Sequence, residues 1–347
     1  MNRATFERKR TSDLVEALSR KETAGEWEAR ERGSVNEDDQ GHTTLPGVDG
    51  ARRWLSRRSV LIAGASGLGV AGLAAGTATG ALPFSEALQR ALGVASPTPA
   101  TQLGSPRVER VYSEARGREV DLVLMLPTKA PPKGLPMSLM LHGLHGTARH
   151  AAPTGLLKQL GSEVARKAVP PFGFVAVDGG DHYWHENQPG DNPMAMLLEE
   201  VPRWLAARGL GGRDGQPFAA TGLSMGGFGA LLYTRRRLER RRPPAAVAAL
   251  APALITSWAE MSKRRAFRDA ADWGSLDPLR HIHVTKSVPT GIWCGTEDPF
   301  IGGVRKFISE ARPTVAHTAR GKHGDTFNRT VVPSLIAFLG KHVPKHA

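Results

Sequence analysis

The 347-residue chain contains a single cysteine, Cys294. An intrachain disulfide is therefore excluded, and no CxxC or Cys/His spacing builds a zinc site. The thiol follows the strand-like Thr290-Gly291-Ile292-Trp293, where a packed core residue is expected. His182 with His185, and His281 with His283, are isolated pairs rather than ligand sets. Neither a metal nor a cofactor is expected. Aromatic residues are scarce at 6%, yet hydrophobic residues make up 40%. That is enough to bury a full core, which excludes a largely disordered chain. Acidic residues are also in deficit, 33 against 46 Lys and Arg, for a formal charge of +13. Residues 1–58 hold 12 Lys/Arg and 11 Asp/Glu, so nearly all of the excess lies beyond them. Much of it falls on Arg235, Arg236, Arg237, Arg240, Arg241 and Arg242. Such a run suits a solvated helix C-terminus, where cations complement the dipole. It also suits an anionic cell-envelope surface. No nucleic-acid partner is expected.

Charge is missing altogether from Val60 to Phe84, directly after Ser56-Arg57-Arg58-Ser59. Twin arginines before a weakly apolar, Gly- and Ala-rich run form the pattern of a Tat export signal. The run is long enough to span a bilayer, so an anchor is the alternative to a cleaved signal. Gly64-Ala65-Ser66-Gly67-Leu68-Gly69 has no strand before it and no βαβ unit around it, which excludes a dinucleotide loop. The expected organisation is a polar extension over 1–58, the Tat-like segment over 59–84, a linker over 85–105 and a folded domain over 106–347. The expected location is extracellular, in the cell envelope or membrane-anchored, with the Tat machinery as a partner.

From residue 106 onward the chain alternates in the α/β manner. Val108–Tyr112 and Val120–Leu126 are expected to pair antiparallel around Ala115-Arg116-Gly117. Short apolar runs at Met137–Leu141, Phe172–Val177, Phe218–Thr221, Ala245–Leu250, Val288–Trp293 and Thr314–Thr318 predict further strands, the buried ones parallel. Helices are predicted over 155–168, 194–208 and 327–342, with a helical insertion of about 30 residues after the 245–250 strand.

One segment carries chemistry. Gly222-Leu223-Ser224-Met225-Gly226-Gly227 lies between a predicted strand and an apolar helix. A serine hydroxyl is a poor nucleophile unless a base takes its proton and the oxygen protrudes from the backbone. The Gly-x-Ser-x-Gly elbow meets the second condition, because glycines let the chain turn sharply without side-chain clashes. The base and its orienting acid are expected later in the chain, in the order Ser, acid, His. Asp298, in Cys294-Gly295-Thr296-Glu297-Asp298-Pro299, follows a predicted strand, with Glu297 as its local rival. His323, in Gly321-Lys322-His323-Gly324, follows the last strand. Two backbone N–H groups should face a developing oxyanion: that of Met225, and that of Leu144 after the sharp turn in Leu141-His142-Gly143-Leu144-His145-Gly146. His142 and His145 precede the serine and are expected to shape that turn.

At these residues the sequence resembles the esterase branch of the α/β-hydrolases. That branch includes esterase D-type S-formylglutathione hydrolases, feruloyl and other carbohydrate esterases, and actinobacterial mycolyltransferases. Leu141-His142-Gly143, Val175-Ala176-Val177-Asp178-Gly179-Gly180, Leu198-Glu199-Glu200-Val201-Pro202, the Ser224 elbow, Cys294–Pro299 and Gly321-Lys322-His323 carry the likeness. It implies an α/β-hydrolase fold with a mostly parallel sheet and helices on both faces. It also implies an acyl-ester substrate, small-molecule, glycan or lipid, and a Ser224, Asp298, His323 triad. The chain lacks the aromatic acyl-tunnel signals of the mycolyltransferases, and it lacks the cysteines of cytosolic esterase D while carrying an export leader. Three readings stay open: a serine esterase, an acyltransferase on the same residues, and a silent wall-associated binding protein. The segment between the 245–250 and 288–293 strands is expected to cover the site. Its middle is polar, and Trp258, Phe267 and Trp273 are expected to form one apolar wall.

Overall fold

In a computed structural model, residues 104–345 are described, and their order of elements follows the apolar runs. The readings placed on residues 1–103 lie outside the described residues. Strands β1 (Arg107–Ser113) and β2 (Arg118–Met125) form a hairpin, β3 (Met137–Leu141) follows, and helix α1 (Leu156–Ala165) leads to β4 (Gly173–Val177). Helix α2 (Val201–Ala207) precedes β5 (Ala219–Leu223), helix α3 (Met225–Glu239) and β6 (Ala246–Leu250). After β6 come three short helices, α4 (Trp258–Ser262), α5 (Ala270–Leu276) and α6 (Ile282–Thr285). The chain ends with β7 (Thr290–Gly295), α7 (Ile301–Ala311), β8 (Val315–Ala319) and α8 (Val332–Lys341).

The eight strands form one sheet in the order β1-β2-β4-β3-β5-β6-β7-β8. β2 runs antiparallel to β1 and β4, and all later neighbours are parallel. Successive side chains of a strand face opposite ways, so each strand feeds two apolar layers. Leu122 and Leu124 join the layer with Val304 and Phe307 of α7. Val123 and Met125 join the layer with Leu160 of α1 and Leu335 of α8. Central strands β3, β4 and β6 are buried at every residue, as a sheet covered on both faces requires.

Boundaries moved where prolines and tertiary pairing intervened. β7 starts after Pro289 rather than at Val288, because proline has no N–H to give to a ladder. β5 runs two residues past Thr221, since Gly222 and Leu223 pair with Ala249 and Leu250. The expected 194–208 helix is a π turn, Met196–Glu200, followed by α2. The π turn aims Glu200 inward, where its carboxylate accepts from Ser113 Oγ at 2.5 Å and from Ala115 N at 3.0 Å. Helix α7 was not anticipated. Gly302 and Gly303 sit in its first turn and lower its helix propensity, but a Cβ at Gly303 would lie 1.8 Å from Leu254 O.

The arginine run at the end of α3 is not an open basic surface. Arg235 and Arg236 pair with Glu239, Arg236 also with Glu186, Arg240 with Glu199, and Arg242 with Asp214. Arg237 is buried at 6% exposure.

Candidate active site

The C-terminal ends of the parallel strands share one edge of the sheet, and there the chain concentrates its polar chemistry. β5 ends at Leu223, and Ser224 takes φ 54°, ψ −117° before α3 begins at Met225. A non-glycine residue in this region costs about 1–3 kcal/mol and persists only where its surroundings hold it. They do: Ser224 N–H donates to Leu250 O, and Ser224 O accepts from Ala253 N and Gly227 N, each at 2.9 Å. Glycine is required beside it. A Cβ on Gly222 would stand 2.0 Å from Gly226 O, and one on Gly226 would stand 2.1 Å from Leu141 O.

His323 lies on the loop after β8, and its Nε2 is 3.0 Å from Ser224 Oγ. Its Nδ1 is 2.7 Å from Asp298 Oδ2. The Asp298 side chain is fully buried, and its second oxygen accepts from Phe300 N at 2.8 Å. The Phe300 ring stands edge-on to His323, with centroids 5.1 Å apart, which limits tilting of the imidazole. Glu297 points elsewhere, toward Arg320 at 3.0 Å on the exposed side. Ser224, Asp298 and His323, far apart in sequence, are thus brought together in one row. Cys294 is buried beneath them. Its thiol is pushed up to about 12 by burial and by the neighbouring Asp298 charge, so it stays protonated and inert.

The turn after β3 packs against the nucleophile position. A Cβ on Gly143 would lie 3.4 Å from Ser224 Cβ. Gly146 N–H donates to Gly143 O at 3.0 Å, and this closes the turn that carries Leu144 and His145. Asp181 clamps it from outside, accepting from His145 N at 2.6 Å and from His145 Nδ1 at 2.9 Å. Asp178 ties the following segment to β2 by accepting from Ala148 N and Asp121 N. His142 shapes the turn from within. Its Nδ1–H donates to Gly143 O at 2.8 Å, and its Nε2 accepts from Gly179 N at 2.9 Å. Trp184 Nε1–H donates to His142 O at 3.2 Å.

Sequence reasoning missed this support. Its residues follow Asp181, where the sequence shows only the isolated pair His182 and His185, whereas Tyr183, Trp184 and His185 are buried scaffold. One available clue was glycine at 179 and 229. A Cβ at either position would enter the Trp184 side chain, at 2.3 Å and 2.6 Å respectively.

The expected aromatic wall is divided. Phe267 is buried against Tyr183, Phe228 and His185. Trp258 and Trp273 stack on each other, with centroids 6.1 Å apart. Of the three, only Trp258 keeps partial exposure. Lys263 pairs with Glu260 on the exposed side, while exposed Arg268 covers the buried carboxylate of Asp272.

Two buried imidazoles make stability depend on pH. His185 Nδ1 accepts from Asn187 N at 2.9 Å, and its Nε2–H donates to Ala266 O at 2.6 Å. His142 likewise accepts a backbone N–H, so both rings are held neutral. Burial pulls both below the ordinary imidazole value. The unfolded chain takes up these protons at about pH 6.5, and the folded chain only at lower pH. Stability is therefore complete above about pH 6.5 and falls as pH drops below it, by up to about 1.4 kcal/mol per unit for each ring. Urea unfolding at about pH 7 and about pH 5 measures this. Equal midpoints would contradict it.

Fold and strand-to-helix turn together define an α/β-hydrolase. The family model described as "Putative esterase" matches residues 113–307, more than half of the chain. The chain belongs to this esterase family. A search of curated proteins finds no match. Among solved structures, a ferulic acid esterase is similar at 16% identity and TM-score 0.58, covering 69% of this chain and 98% of its own. An S-formylglutathione hydrolase from Agrobacterium tumefaciens is similar at 17% identity and TM-score 0.54, covering 70% and 100%. Mycobacterium tuberculosis MPT51 is similar at 17% identity and TM-score 0.53, again covering 70% and 100%. At such identities the likeness speaks for the fold.

Proposed function

We propose that this chain is an exported serine esterase working through an acyl-enzyme on Ser224. The observation that carries the reading is the unbroken row from Asp298 Oδ2 through His323 to Ser224 Oγ, at 2.7 and 3.0 Å. Ser224 Oγ attacks the ester carbonyl while His323 Nε2 takes its proton. Asp298 holds the ring with Nδ1 protonated and stabilises the imidazolium. His323 then returns the proton to the leaving alcohol, and water, deprotonated by the same nitrogen, releases the acid. The N–H groups of Met225 and Leu144 receive the oxyanion. Met225 opens α3, where first-turn N–H groups have no intrahelical acceptor and the helix dipole favours negative charge.

A short acyl group fits best. The 251–289 segment spends Phe267 and Trp273 on the core, so of the expected aromatic wall only Trp258 keeps partial exposure. Long chains gain about 0.8 kcal/mol per methylene only when buried. The test is fluorophosphonate labelling followed by kcat/KM for p-nitrophenyl esters from acetyl to palmitoyl, with and without a sugar acceptor. Labelling and a maximum at short acyl chains are expected. A maximum at lauroyl or beyond, or acyl-sugar forming faster than free acid, would make the protein a transferase.

Export rests on Arg57 and Arg58 before the uncharged run. Changing both to lysine is expected to hold the protein in the cytoplasm, because Tat recognition reads the arginine pair. Fractionation that finds the double variant still exported would refute this part of the reading.

A further inference from the structure

The sheet has a second, opposite edge, where β3, β5 and β6 begin. A cleft of about 1280 Å³ opens there, between the segments at 133–136, 206–218, 243–245 and 344–345. Four of its lining residues are cationic, Lys133, Arg213, Arg237 and Lys345, against one carboxylate, Asp214. That carboxylate is engaged by Arg242 at 2.8 Å. Lys133, Arg213 and Lys345 are exposed at the rim.

Arg237 differs from the rest of its run. It is more than nine-tenths buried, yet among the described residues no carboxylate pairs with it. Its partners are neutral oxygens: Nε–H donates to Arg242 O at 2.6 Å, and Nη1 donates to Tyr233 Oη at 2.7 Å and Pro217 O at 3.4 Å. The guanidinium also lies over the Tyr233 ring, 5.6 Å from its centroid. These bonds fix the group in place without neutralising it. A buried charge held by dipoles alone is costly, and a fixed guanidinium presented to a cleft is a ready partner for carboxylate or phosphate. Loop 209–215 contributes Gly209, Gly211 and Gly212 to the lining beside Arg213 and Asp214, so bare backbone borders part of that side and leaves room for a ligand.

We propose that this cleft binds a small, multiply charged anion, with Arg237 as the fixed contact and Lys133, Arg213 and Lys345 as the closing cations. The site lies across the sheet from Ser224, so it does not depend on the esterase reading. Calorimetric titration of the full chain with tripolyphosphate and with citrate is the test. Saturable binding of at least one anion is expected, beyond any effect of sodium chloride at equal ionic strength. The stronger of the two identifies phosphate or carboxylate as the preferred group. The double rim variant Lys133→Ser, Arg213→Ser is expected to bind about tenfold or more weakly, and Arg237→Gln to lose binding. Should Arg237→Gln fail to fold, the rim variant decides, since both of its side chains are exposed. No saturable binding of either anion, or equal affinity in the rim variant, overturns the proposal.

Discussion

Ser224→Ala is expected to lower ester hydrolysis by about 10⁵- to 10⁶-fold and to abolish fluorophosphonate labelling. The hydroxyl is the oxygen of the row that is open to an ester, since the Asp298 carboxylate is buried behind His323, and without the hydroxyl His323 has nothing to deprotonate but water. The fold should hardly respond. Ser224 is partly exposed, and its unusual backbone is secured by main-chain bonds to Leu250, Ala253 and Gly227, which alanine keeps. Paired measurements of kcat/KM and thermal melting therefore separate chemistry from folding. Retained hydrolysis in this variant would remove the proposed mechanism, and a large loss of melting temperature would leave the activity result without mechanistic meaning.

Asp298→Asn should cost about 10⁴-fold in turnover, for a reason visible in its hydrogen bonds. One carboxylate oxygen accepts from Phe300 N at 2.8 Å, and the other faces His323 Nδ1 at 2.7 Å. An amide keeps its oxygen on the Phe300 N–H and turns its NH₂ toward His323. The imidazole must then accept at Nδ1 and carry its proton on Nε2, where it can no longer take the proton of Ser224. Glu297→Gln breaks only an exposed pair with Arg320, which is worth about 1 kcal/mol at most, and turnover should stay near that of the unchanged protein. The two variants compared by kcat/KM and labelling rate decide between the acids. If Glu297→Gln were the more damaging, the acid would have been assigned wrongly.

Much of the fold was legible in residue order. Runs such as Met137–Leu141 and Ala246–Leu250 are short, apolar and bounded by turn residues, which is the local mark of a strand covered on both faces. The Ser224 elbow was legible because Gly222 is demanded by Gly226 O four residues on, although Gly226 itself is demanded by Leu141 O of a neighbouring strand. The order serine, acid, histidine came from the resemblance to the α/β-hydrolases, and parallel strands bring the three to one edge because each delivers its following loop to the same side.

The rest needed the fold in three dimensions. Nothing local says that β3 lies between β4 and β5, or that Trp184 rises between Gly179 and Gly229 to hold the carbonyl of His142. Asp298 and Glu297 are neighbours of similar chemistry, and only the turn after β7 sends one inward to His323 and the other out to Arg320. The six arginines at the end of α3 read as one basic run, yet carboxylates from four separate segments neutralise most of them, and Arg237 alone turns into the cleft. Sequence by itself determined the elements and the chemistry at their ends, because propensity, turns and close backbone approaches act over a few residues. Tertiary structure decided which charges are compensated and which side chains meet, because those energies depend on distances between groups far apart along the chain.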